Sequence, residues 1–112
     1  RLKNGGYLDT YNENENKTTI IGENIYGDGM FSTYNSSAKQ TLLLGSVEGG
    51  YGKLTIFDNN GRESLHLLRS MTSFNQDGKI TGKYGTNKSG DGSVMLYDRF
   101  GNRGWYKSGK NS

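Results

Sequence analysis

The sequence predicts an all-β fold, an elongated homotrimeric fibre of repeated β-hairpins. Three observations predict it: an internal repeat, glycines that interrupt every candidate helix, and an apolar content too low for a core within one chain. Only 30% of the 112 residues are apolar, against roughly 45–50% in an ordinary globular domain. A chain that polar ordinarily stays disordered. Here eight Tyr, four Phe and one Trp at regular spacing argue against disorder. Ordering each residue costs roughly 1–2 kcal/mol of backbone entropy. Burial between identical chains offsets that cost where burial within one chain cannot.

The repeat sets the organisation. Aligned on a recurring apolar residue, the anchors are Leu8, Phe31, Leu54, Met71 and Val94. Three steps between anchors are 23 residues long, and the step from Leu54 to Met71 is 17. Three residues after each anchor stands an aromatic: Tyr11, Tyr34, Phe57, Phe74 and Tyr97. The next residue is Asn or Asp: Asn12, Asn35, Asp58, Asn75 and Asp98. Glycine follows seven after the anchor in the last three copies, at Gly61, Gly78 and Gly101. A G-x-x-x-x-G-x-G segment recurs at residues 22–29, 45–52 and 85–92. One missing linker after Leu68 accounts for the short step and restores every register. Residues 1–112 therefore read as a single repeat domain of five hairpin units.

Each unit reads as strand, tight turn, strand and glycine linker. The first strands include Leu8–Tyr11, Leu54–Phe57 and Val94–Tyr97, rich in aromatic and branched residues. The Asn/Asp-x-x-Gly after them is turn chemistry, because the Asx side chain caps nearby backbone and glycine accepts positive φ. The second strands include Thr18–Ile21, Thr41–Leu44 and Ser64–Leu67. Ten strands stacked at roughly 4.8 Å give a column about 50 Å tall. Its apolar stripe (Leu8, Phe31, Leu54, Val94) needs a partner, and three copies around an axis supply one.

The pattern Gly-x-apolar-x-x-Tyr/Phe-Asn/Asp-x-x-Gly, with a second strand and a glycine linker, resembles the stems of tailed-bacteriophage tail fibres, tail spikes and neck appendages. The resemblance runs from Gly6 to Gly104. It implies a homotrimer built as a triple-stranded β-helix or triple β-prism. It also implies an extracellular virion appendage that structures the fibre and meets host surface polysaccharide or wall glycan. Some such fibres carry a self-cleaving C-terminal chaperone, which makes Ser112 the candidate processing terminus. Two alternatives stand beside this reading: a glycan-degrading stalk (hydrolase or lyase) of the same architecture, and a monomeric lectin-like β-repeat protein.

Catalytic chemistry is not legible. There is no cysteine, so there is no disulfide, thiolate nucleophile or thiolate metal site. His66, the one histidine, stands where other copies have Ile20 and Leu43, and no nucleophile–base pattern surrounds it. The glycine segments lack the Gly-Lys-Ser/Thr of a phosphate loop. The Asp58–Gly61 turn lacks the ligand count of a calcium loop. Asp9, Glu48, Glu63 and Asp98 are the carboxylates from which a glycan-hydrolysing pair would be drawn. The sequence thus predicts no enzyme, no metal and no cofactor. No stretch approaches the roughly 20 apolar residues of a membrane helix, so no membrane insertion is expected. The net charge of +3 is spread along the chain, which is a poor nucleic-acid signature. The candidate ligand-binding residues are Tyr26, Glu48 and Tyr51 in the linkers, with Trp105 and Tyr106 near the end. Their aromatic faces suit sugar rings, and Glu48 is an acceptor for sugar hydroxyls. Trp105 occupies the repeat slot of Leu42 and Leu65, which equally suits packing.

Overall fold

Alternation of apolar with small or polar residues makes strands, and Asn/Asp-x-x-Gly sets where each strand reverses. The computed structural model describes residues 6–111; Ser112 lies outside them. The strands are β1 (Leu8–Tyr11), β2 (Lys17–Glu23), β3 (Gly29–Tyr34), β4 (Gln40–Ser46), β5 (Gly52–Phe57), β6 (Glu63–Leu68), β7 (Ser70–Phe74), β8 (Ile80–Thr86), β9 (Gly92–Tyr97) and β10 (Arg103–Ser108). They form one sheet in sequence order, each strand antiparallel to the next. No helix occurs among the described residues. The second strands extend past their expected ends because the glycines after them continue the ladder, as Gly22 and Gly45 do by pairing with Met30 and with Lys53.

The glycine segments are therefore not linkers. Residues 24–28, 47–51 and 87–91 make turns with the same hydrogen bonds as the hairpin turns 12–16, 35–39, 58–62, 75–79 and 98–102. In each, the first residue's amide donates to the fifth residue's carbonyl, and the fourth residue's amide donates back to the first residue's carbonyl, at 2.7–3.0 Å. Seven of these turns open with Asn or Asp, whose side-chain oxygen accepts two further amides. Val47 opens the eighth and offers no such oxygen. That turn instead has glycine in the left-handed region at two successive positions, Gly49 and Gly50 (φ 89° and 83°). The short repeat step has a matching cause: β6 and β7 are joined through Arg69 alone, at φ 60°.

Every hairpin also carries a bulge, where the register shifts by one residue on the second strand. The extra residues are Thr18, Thr41, Ser64, Thr81 and Gly104. Four of them use a hydroxyl to tie back to the first strand, as in the Thr33–Thr41 pair at 2.7 Å. A bulge increases local twist and re-aims side chains. The aromatic of each hairpin, three residues after its anchor on the unbulged first strand, lies on the face opposite the anchors.

The register separates the two faces. One is mainly polar and aromatic and carries the row Asp9, Ile20, Ser32, Leu43, Thr55, His66, Thr72, Lys83, Met95 and Tyr106, in which three apolar residues stand among polar ones. The only fully covered residues among those described are Ser32, Thr55, Thr72 and Ser93, all small and all on this face. Longer neighbours lie across them, as where Gln40 donates to the Ser32 hydroxyl at 2.8 Å. The other face is apolar. No hydrophobic side chain is buried anywhere among the described residues. The expected column is present, at 55 × 29 × 16 Å.

Candidate functional site

The apolar face is the largest feature built for contact. Its central row runs Leu8, Ile21, Phe31, Leu44, Leu54, Leu67, Met71, Tyr84, Val94 and ends at Lys107. All five repeat anchors stand in it. The residues between them come from the return strands, thirteen after each anchor, a spacing present in the sequence that the anchor pattern alone passes over. A flanking row holds Thr33, Leu42, Ile56, Leu65, Leu96 and Trp105. Trp105 thus shares the row of Leu42 and Leu65, as its repeat slot predicts. It is 50% exposed, and Leu8, Ile21, Leu44, Leu67 and Tyr84 are exposed with it. Water-facing apolar patches beyond a few hundred square ångströms mark interaction surfaces.

The other candidate residues do not converge on one site. Tyr26 and Tyr51 project from neighbouring turns on the same margin of the sheet, 51% and 49% exposed. Glu48 is exposed in the same turn as Tyr51. Tyr106 is on the last strand, on the polar face and so opposite Trp105; its hydroxyl accepts from the Asn87 side chain at 3.3 Å. Arg69 was not singled out by the sequence pattern, because it falls in the gap of the short repeat step. Its guanidinium stacks on Tyr51, 4.9 Å from the ring centre. Such a pair is an electrostatic attraction between the cation and the ring face, and the ring remains half exposed. Beside it the one-residue turn leaves an open cleft of about 580 Å³, lined by Leu67, Met71, Tyr84 and Gly85 among others.

Of the four carboxylates considered for hydrolysis, Asp9, Glu63 and Asp98 are each engaged with separate partners, while Glu48 is exposed in its turn. Asp9 pairs with Lys17 at 3.2 Å, and that bond raises the Lys17 pKa. Glu63 holds His66 and lies 3.9 Å from Lys53, while His66 packs edge-on against Phe74. Asp98 caps its turn, and the amides of Asn102 and Phe100 lower its pKa; Asp58 is lowered likewise, first by the Arg62 amide. Among the described residues no three His, Asp or Glu side chains gather as a metal site. No helix there is long and apolar enough to cross a membrane. Compared with protein-family models and with curated protein sequences, the chain matches none.

Proposed function

We propose that this chain is a stem segment of a homotrimeric attachment fibre of the tailed-phage kind. In this reading the apolar faces of three copies meet at the fibre axis, and the turns are displayed outward to host surface polysaccharide. One observation carries it: a ten-stranded sheet presents a continuous apolar face and, among the described residues, buries no hydrophobic residue of its own. Consecutive strands pair within the chain throughout, which favours a β-prism with one sheet per side over an interwound β-helix, whose strands pair between chains. The role is structural and adhesive, at the virion surface, with no catalytic step assigned to the segment.

The experiment is a solution mass by light scattering, followed by binding to isolated host-wall polysaccharide. The reading expects three chain masses and retention on the glycan. A folded monomer at micromolar concentration would overturn the assembly. A trimer that retains no glycan would leave a stem and remove the adhesive role.

A further inference from the structure

The three glycines of each G-x-x-x-x-G-x-G segment answer to different constraints. At the first (Gly22, Gly45, Gly85) the neighbouring strand or chain leaves no room for a side chain; a Cβ on Gly45 would sit 2.8 Å from the Gly29 carbonyl oxygen. The second (Gly27, Gly50, Gly90) holds the left-handed φ of the turn, at 82°, 83° and 89°. The third (Gly29, Gly52, Gly92) has no positive φ, and a Cβ there would meet nothing within 4 Å. Glycine weakens a strand interior, so its recurrence at this position has no cause inside the chain. Each of these residues stands two before an anchor, which puts it on the apolar face. All three line the margin that carries turns 24–28, 47–51 and 87–91.

We propose that these glycines form a docking seam for a second copy of this chain. The neighbour's flanking row, with Ile56, Leu65, Leu96 and Trp105, lies against the bare backbone at Gly29, Gly52 and Gly92. The inference rests on the trimer reading and deepens it. Rotating the sheet about an axis parallel to its long dimension, apolar face inward, brings one margin of each copy against the opposite margin of the next, a heterologous contact. The flanking row sets Leu42, Ile56, Leu65, Leu96 and Trp105 among the small residues Thr10, Thr19, Thr33, Ser73 and Gly82, and the other margin sets glycine notches among Glu23, Ser46 and Thr86, so bulky residues of one copy have gaps to enter on the next. Between the glycines the same row carries their cross-strand partners Glu23, Ser46 and Thr86, so the seam is a series of notches, and it is interrupted at Arg69, the equivalent position before Met71, where the turn is a single residue. The face measures 55 by 29 Å, ample for the roughly 800 Å² that each partner buries in a standard interface.

The test uses the intact chain with Gly29→Val and Gly52→Val, and with Lys83→Val on the opposite face as control. Mass is read by light scattering and thermal midpoint by circular dichroism. Valine favours strand over glycine, so in a sheet with an unoccupied margin it raises the midpoint. The seam expects the reverse: loss of the trimeric mass, or a midpoint lowered by several degrees, with Lys83→Val unaffected. A trimeric Gly52→Val with an equal or higher midpoint would overturn the seam and leave the trimer standing. A wild-type monomer or face-to-face dimer would overturn both. If the valine chains do not fold, Gly52→Ala decides, since an unchanged trimer and midpoint there would also sink the proposal.

Discussion

At the scale of single residues, the fold is written in the turns. Asn12, Asn35, Asn75, Asp58 and Asp98 do the same work, each accepting two backbone amides on one side-chain oxygen at 2.9–3.1 Å. The two aspartates add a titration. Their folded pKa values lie below the unfolded value, so the unfolded chain binds more protons as the pH falls. The stabilisation is complete above the unfolded value, about 3.9, and is lost as pH drops through the folded one. The double variant Asp58→Asn/Asp98→Asn keeps the amide acceptors. It should therefore fold at neutral pH and lose less of its thermal midpoint than wild type between about pH 5 and about pH 2. Equal acid slopes would show that other groups set the acid limit. A second residue-level prediction concerns Ala38, held at φ 61° where three later hairpins have glycine. The left-handed region costs an L-residue roughly 1–2 kcal/mol, so Ala38→Gly should raise unfolding free energy by about 1 kcal/mol, less the added freedom of the unfolded chain. Denaturant melts measure it, and a loss of stability would contradict the turn assignment.

At the scale of elements, one hairpin design is used throughout, and its variation lies in the turns. Hairpin strands keep their bulge and their aromatic, and four of the five keep the hydroxyl tie, while turns 24–28, 47–51 and 87–91 differ at the residues between their fixed positions. Loops set by a rigid scaffold are free to specialise. Trimer symmetry would present each turn three times and convert weak single-site binding into avidity. Tyr26→Ser with Tyr51→Ser is expected to leave the mass unchanged and to reduce retention on host-wall polysaccharide by roughly a hundredfold, the lower end of avidity gains. Undiminished retention would reduce these turns to corners and move adhesion to Trp105 and Tyr106 or off this segment. Tyr51 also holds the Arg69 stack, so Tyr51→Phe, which keeps the ring, is the control that separates stacking from the hydroxyl.

At the scale of the whole molecule, the numbers describe a surface more than a core. The radius of gyration is 17.3 Å, against about 13 Å for a compact chain near this length. The accessible surface is 8111 Å², where a compact monomer of this mass exposes about 6,100 Å². The excess is the open sheet, and the apolar side of it is what three copies would cover. Leu54 stands in the middle of the central apolar row. Leu54→Asp should abolish the trimeric mass, because an unpaired charge buried in every copy costs several kcal/mol each time. A Leu54→Asp chain that stayed trimeric would place that row on an outer surface.

The sequence by itself determined the all-β class, the hairpin turns and the period, while the order of the strands in one sheet came from the structure. A two-residue side-chain alternation and a recurrent Asx turn are local signals, and local signals survive in one dimension. It also carried the slot of Trp105 and the gap after Leu68. That the glycine segments are turns like the others was also written there, in Asn24–Gly27 and Asn87–Gly90, but alignment on their glycines hid the Asn-x-x-Gly signal, and residues 47–51 lack the Asn altogether. It did not disclose that Ile21, Leu44, Leu67 and Tyr84 complete the anchor row, since a row across a sheet is set by strand register, which the five bulges shift. The pairing of Arg69 with Tyr51 arises the same way: eighteen positions of chain separate them, and the antiparallel pairing of β5 with β6 brings the cation over the ring. The division of the glycines into three kinds belongs to the tertiary structure for the same reason, because what a missing side chain makes room for is decided by whatever lies across from it.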